Sequence, residues 1–229
     1  MKVVSELNGL VVFLVPTEEV YPKEGVHLPD VMNAIALRYN FTSWTDFSRV
    51  PPEEIEKKEI QFRIGRFVSA PGRESIIKQF VVNEGSLVAS SYNTSVAEDF
   101  IGDVLRSLSE SYDFRSDPLV GRTMLVLSEL LVEFDEALDK ALSNFESISR
   151  MLEVEFLKHY GREEKYKLDS IALDFQRLFA AQPISNLSRF TIERRVNTSF
   201  GENKYYCRAP FRTLDHIQLL EGMERSFKG

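Results

Sequence analysis

Twice along the chain a β-hairpin runs straight into an amphipathic helix opened by a threonine, at Thr94 and again at Thr213, 119 residues apart. An apolar, β-branched segment opens each half at a similar offset. A recurrence of supersecondary units constrains a fold more than any single motif does. Each half reads strand, helix, strand, strand, strand, helix. That order predicts an α+β fold: antiparallel sheets with helices packed on one face, as two similar lobes over 1–117 and 118–229. Residue identity between the halves is poor, so internal duplication competes with a coincidence of common elements.

The elements follow from periodicity. Residues 9–15, Gly-Leu-Val-Val-Phe-Leu-Val, form an apolar run that Pro16 closes and predict a buried strand. Residues 28–39 place Val31, Ile35 and Tyr39 four apart behind Pro29 and predict a short helix. Residues 40–58 read as a connection. Over 59–68, Ile60, Phe62 and Ile64 alternate with Gln61, Arg63 and Gly65, which turns the isoleucines and Phe62 inward. Strands follow at 75–82 and 86–92 around an Asn83-Glu84-Gly85 turn. Ser95-x-x-Glu98 has the form of a capping box for the helix that carries Ala97, Phe100, Ile101, Val104, Leu105 and Leu108.

In the second half, 122–133 reads as a strand whose Ser-Glu-Leu-Leu equally suits the start of the next helix, 168–176 reads as a strand although Phe175, Leu178 and Phe179 fit a helix equally well, and 188–196 with 204–208 reads as a hairpin. A helix over 135–158 would bury Leu142, Phe145, Leu152 and Phe156. The last helix, opened by Thr213, would bury Leu214, Ile217, Leu220 and Met223.

Composition excludes several classes. In 229 residues the hydrophobic fraction is 43% and the charged fraction 28%, with 17 Phe and 8 Tyr, so the chain can fill a core and is not disordered. The longest unbroken apolar run, Leu10 to Val15, falls far short of the ~20 residues that span a bilayer. The N-terminus lacks the pattern of a secretory signal. Cys207 is the single cysteine, which excludes a disulfide framework. These features predict a cytoplasmic location and no membrane. Sequons occur at Asn40, Asn93, Asn186 and Asn197, where turns and caps explain the same residues.

Chemistry is sparse. His27, His159 and His216 are scattered, and none has a ligand at helical spacing. Asp135, Glu136 and Asp139 suit a helix start. His159, ahead of Gly161, suits a helix end. No nucleophile elbow, Ser-x-x-Lys pair or phosphate-binding loop is present. Cys207, between Tyr206 and Arg208, reads as a core thiol, since strand neighbours point to opposite faces. No cofactor is implied.

Charge is unevenly spread. Residues 187–229 carry an excess of basic residues, although the whole chain has a net charge of −7. Arg194, Tyr206, Arg208 and Arg212, on or beside the last hairpin, are the candidate partner-binding residues. Arginine forks grip carboxylates or phosphates, and tyrosines stack. The competing reading is internal pairing with acids such as Asp135 or Glu136. Together these features predict a non-enzymatic protein-interaction or assembly protein whose basic hairpin engages an acidic partner or a second copy. A small-ligand or nucleic-acid binder is the second reading, with nucleic acid disfavoured by the acidic balance. A hydrolase whose catalytic residues converge only in space is the third.

Overall fold

The computed structural model of the chain describes residues 1–15, 28–45, 59–69, 72–83, 85–112, 124–136, 138, 145–160, 169–173 and 189–227. Among them are nine strands: β1 Lys2–Leu14, β2 Ser43–Trp44, β3 Ile60–Ser69, β4 Arg73–Asn83, β5 Ser86–Ser91, β6 Met124–Glu133, β7 Ser170–Leu173, β8 Phe190–Arg194 and β9 Lys204–Ala209. They form one antiparallel sheet in the order β2-β3-β4-β5-β1-β6-β9-β8-β7. Four α-helices accompany it: α1 Leu28–Arg38, α2 Thr94–Tyr112, α3 Phe145–Tyr160 and α4 Thr213–Phe227. The class is α+β, as the alternation of periods requires.

The chain forms two compact units. One holds Leu7–Ser128 with Phe211–Thr213; the other holds Met1–Glu6, Glu129–Pro210 and Leu214–Gly229. β1 and β6 each contribute residues to both. The expected division at 117/118 lies outside the described residues.

In the unit of Leu7–Ser128, apolar strand residues alternate inward to meet one stripe of each helix. Val11, Phe13, Phe62, Ile77, Phe80, Leu87 and Ala89 pack with Val31 and Ile35 of α1 and Ala97, Phe100, Ile101 and Val104 of α2. Phe100 is the hub, with ring centres 4.9 Å from Tyr39, 5.2 Å from Phe80 and 5.7 Å from Phe67. Full burial of such a ring makes its removal cost about 3–5 kcal/mol. Gly9 of β1 lies flat against the start of α2, where a Cβ would sit 2.3 Å from both Asn93 C and Thr94 N. Only glycine permits that approach.

The start of α2 differs from the expected capping box. Asn93 caps it instead: its Oδ1 accepts from the Ser95 amide and hydroxyl at 2.9 Å each, and Glu98 accepts from Arg212 at 2.8 Å. Asn, an equally strong cap, precedes Ser95 and takes the amide first. Thr94 and Thr213 then cap each other. The Thr94 amide donates to Thr213 Oγ1 at 3.1 Å, the Thr213 amide donates to Thr94 Oγ1 at 2.9 Å, and both residues are buried.

The second core gathers Leu130, Val132, Phe134, Leu138, Phe190, Ile192, Tyr205, Cys207 and Leu220. Here two expectations change. The helix expected over 135–158 is described as Phe145–Tyr160, with 137 and 139–144 outside the described residues; it does not begin at 135, because Phe134 and Leu138 are drawn into this core and the Leu138 amide donates to the Tyr205 hydroxyl at 3.2 Å. Leu152 on α3 is 43% exposed rather than buried; the side chains of Phe145 and Phe156, and all of Leu142, are not among those described. On α4 the inward positions are Thr213, His216, Leu220 and Glu224, while Leu214 is exposed. The stripe starts one residue earlier than apolar spacing alone suggests, because the capping Thr213 fixes the phase.

Each half repeats one pairing pattern: the opening strand, β1 or β6, pairs with the last strand before the closing helix, β5 or β9. Buried residues also recur at the spacing of 119: Gly9 and Ser128, Val11 and Leu130, Phe13 and Val132, Ala97 and His216, Ile101 and Leu220, Leu105 and Glu224.

Candidate interaction face

The C-terminal hairpin sorts its candidate residues by register. Arg208 faces Thr191, Tyr206 faces Glu193, and Arg194 faces Tyr205. Opposed residues share a face and neighbours alternate. Tyr206 and Arg208 are therefore together, while Arg194 lies on the other side with Tyr205.

All three candidate arginines meet groups of their own chain. Arg194 Nη2 donates to the Tyr205 hydroxyl at 3.2 Å, and its guanidinium lies 5.1 Å from that ring centre. Arg208 Nε is 3.9 Å from Glu129 Oε1, and Arg212 Nε donates to Glu98 at 2.8 Å. Burial, then a hydrogen bond to Glu129, pushes the Tyr206 hydroxyl pKa well above its ordinary value. Of the acids named from the sequence, Asp135 donates its amide to Glu224 at 2.7 Å, and the Met1 amine pairs with Glu224 and Asp135.

Cys207 is fully buried, and burial raises its thiol pKa far from the thiolate range. His216 is fully buried beside Phe190, and burial lowers its pKa to about 4. Among the described residues, no three His, Cys, Asp or Glu side chains are gathered as a metal site needs. His27 and Asp139 lie outside the described residues, and so does the side chain of His159. No described helix is long and apolar enough to cross a membrane. Between α1 and α2 is a cleft of about 200 Å³, lined by Ile35, Arg38, Tyr39, Ser107, Leu108 and Tyr112 among others. Two of these lining residues bond to Asp103, which accepts from the Tyr39 hydroxyl at 2.9 Å and from Arg38 at 3.3 Å. That volume is below the ~300–1,000 Å³ of sites that enclose drug-sized ligands.

The face that sequence reasoning missed is the outer side of the β3–β4 hairpin. On β3 the inward residues are Ile60 and Phe62, then Gly65 and Phe67, so the alternation slips by one at Ile64. Ile64 has φ 50°, the left-handed region, which a β-branched residue rarely adopts. On β4 the inward residues slip likewise, from Phe80 to Ile77, so the register of the pair survives, with Arg63 opposite Gln79 and Gly65 opposite Ile77. Residues 39–42 hold the slip in place. The Thr42 amide donates to the Arg63 and Ile64 carbonyls at 3.1 Å each, and the Phe41 ring occupies the space a Cβ on Gly65 would need.

The consequence is a displayed apolar cluster. Ile64 is 58% exposed, Val68 61%, Ile76 45% and Tyr92 49%. Cations surround it. Arg66 opposes Ile76, Lys78 Nζ lies 4.0 Å above the Tyr92 ring, and Arg73 stands at the hairpin end. Arg63 donates twice to Gln61 Oε1, at 3.0 and 2.8 Å. The acid within β3 and β4 is Glu74, 3.4 Å from Arg66 with both side chains largely exposed. Alternation alone had turned Ile64 inward; the one available signal was Gly65 beside it, a residue that marks irregular strands. No protein-family model matches the chain, and no curated protein matches its sequence.

Proposed function

We propose that this chain is a non-enzymatic protein-interaction or assembly protein, and that the outer face of β3–β4 is the surface it presents. The observation that carries the reading is Ile64. A β-branched residue held in left-handed backbone costs about 1–3 kcal/mol and persists only where its surroundings over-determine it. Here that cost turns an isoleucine away from the core and into solvent. Contiguous apolar exposure rimmed by polar groups marks interaction surfaces. Arginine and tyrosine around an aliphatic centre match the composition of protein interfaces.

Selection from a random peptide library on the immobilised full chain tests this reading. Enriched peptides should lose binding to a Val68→Ser, Ile76→Ser variant whose melting temperature is unchanged. No enrichment, or equal binding to the variant, would refute it.

The repeated pairing pattern and the burial recurring every 119 residues support internal duplication as the origin of the two halves. A homologue of about half this length, carrying only one such half and assembling as a dimer, would be the expected counterpart.

A further inference from the structure

We infer that the β3–β4 face takes an acidic, extended segment of a protein partner that carries aliphatic side chains. The inference rests on the reading above and names the partner's chemistry. Arg63 and Arg66 interleave with Ile64, Val68 and Ile76, Arg73 stands at the hairpin end, Lys78 donates to the Leu7 carbonyl, and within β3 and β4 Glu74 is the one acid. Arg63 is oriented by a neutral amide, which fixes the guanidinium without cancelling its charge. The Arg66–Glu74 pair is 3.4 Å long with side chains 70% and 60% exposed, so solvent screens it and the arginine keeps most of its field.

This cationic face belongs to a chain of net charge −7. An acidic partner is therefore repelled by the molecule at large and attracted at this hairpin. That contrast selects one docking site and speeds encounter there. Three of the four exposed apolar groups are β-branched aliphatics, which pack against side chains but offer no platform for base stacking; only Tyr92 does. The composition therefore favours protein over single-stranded nucleic acid. Alternate residues of an extended segment would meet the apolar centre, and the residues between them would reach the arginines.

Fluorescence anisotropy on the full chain tests this with labelled ten-residue peptides, the length of β3, of repeating Glu-Val, Gln-Val or Lys-Val. At about 20 mM salt the Glu-Val peptide should bind about tenfold tighter than the Gln-Val peptide, and about 300 mM salt should erase the difference. An Arg66→Glu, Arg73→Glu variant should prefer the Lys-Val peptide. The Val68→Ser, Ile76→Ser variant should bind all three weakly. Equal binding of Glu-Val and Gln-Val peptides would overturn the inference. So would tighter binding of oligouridylate or of phosphatidylserine vesicles, or salt-sensitive self-association through these arginines. If all three peptides fail while library selection succeeds, the partner chemistry is wrong and the interaction reading stands; if selection fails too, both fall.

Discussion

Ile64 sets backbone preference against exposure, and both local terms are unfavourable at once. Replacing it by glycine removes the left-handed penalty and one exposed apolar group. Ile64→Gly should therefore stabilise the chain by about 1 kcal/mol in urea titration, despite glycine's entropy, while weakening partner binding. Gly9→Ala should do the opposite, destabilising by several kcal/mol, because its Cβ meets backbone atoms at 2.3 Å. His216 supplies a pH signature. Its ordinary value is 6.5 and its folded value about 4, so the unfolded chain takes up the proton first as pH falls. The contribution is complete above pH 6.5 and declines toward pH 4, by up to about 3 kcal/mol. His216→Leu should flatten that decline in denaturant titrations between these limits. Cys207 was legible in the sequence as a core thiol from strand alternation. Ile64 was not, because alternation assumes a regular strand, and the slip depends on Phe41 and Thr42 from another segment.

At the scale of elements, the mutual caps tie the start of α2 to Thr213. Thr94→Val or Thr213→Val alone should cost about 1–3 kcal/mol, since each leaves a buried amide of the other helix unsatisfied. The double variant should cost less than the sum, with a coupling of about 1 kcal/mol in a double-mutant cycle. The equivalence of the two threonines was visible in the sequence; their contact was not, because nothing local brings residue 94 to residue 213. The basic hairpin was also legible as a hairpin, but Arg194 meets Tyr205 within it, while the partners of Arg208 and Arg212 come from β6 and α2. Arg194→Ala with Arg208→Ala should accordingly lower the melting temperature and leave partner binding unchanged. Val68→Ser with Ile76→Ser on the β3–β4 face should change binding and leave the melting temperature alone.

For the whole molecule, the fold class was readable because it rests on periodicity, a property each segment carries by itself. The order of nine strands and the composition of the outer face were not, since both depend on which strands meet. Charge behaves the same way. A linear count puts the basic surplus in residues 187–229, but there Arg212, Arg208 and Arg194 meet Glu98, Glu129 and Tyr205 of the chain itself. The cations of β3–β4 are fewer in sequence but gathered by register.

The Thr94–Thr213 contact also sets a schedule for synthesis. The unit of Leu7–Ser128 is completed by Phe211–Thr213, so a chain still on the ribosome can place β1 against β5 and begin α2 long before residue 213 exists. Until then the Thr94 amide and hydroxyl lack their buried partner, and water must serve them. The nascent first half is thus held short of its final packing until the last helix begins to emerge. Ribosome-stalled chains ending before Pro210 should be cleaved by protease near the start of α2, and chains extended well past Phe227 should resist.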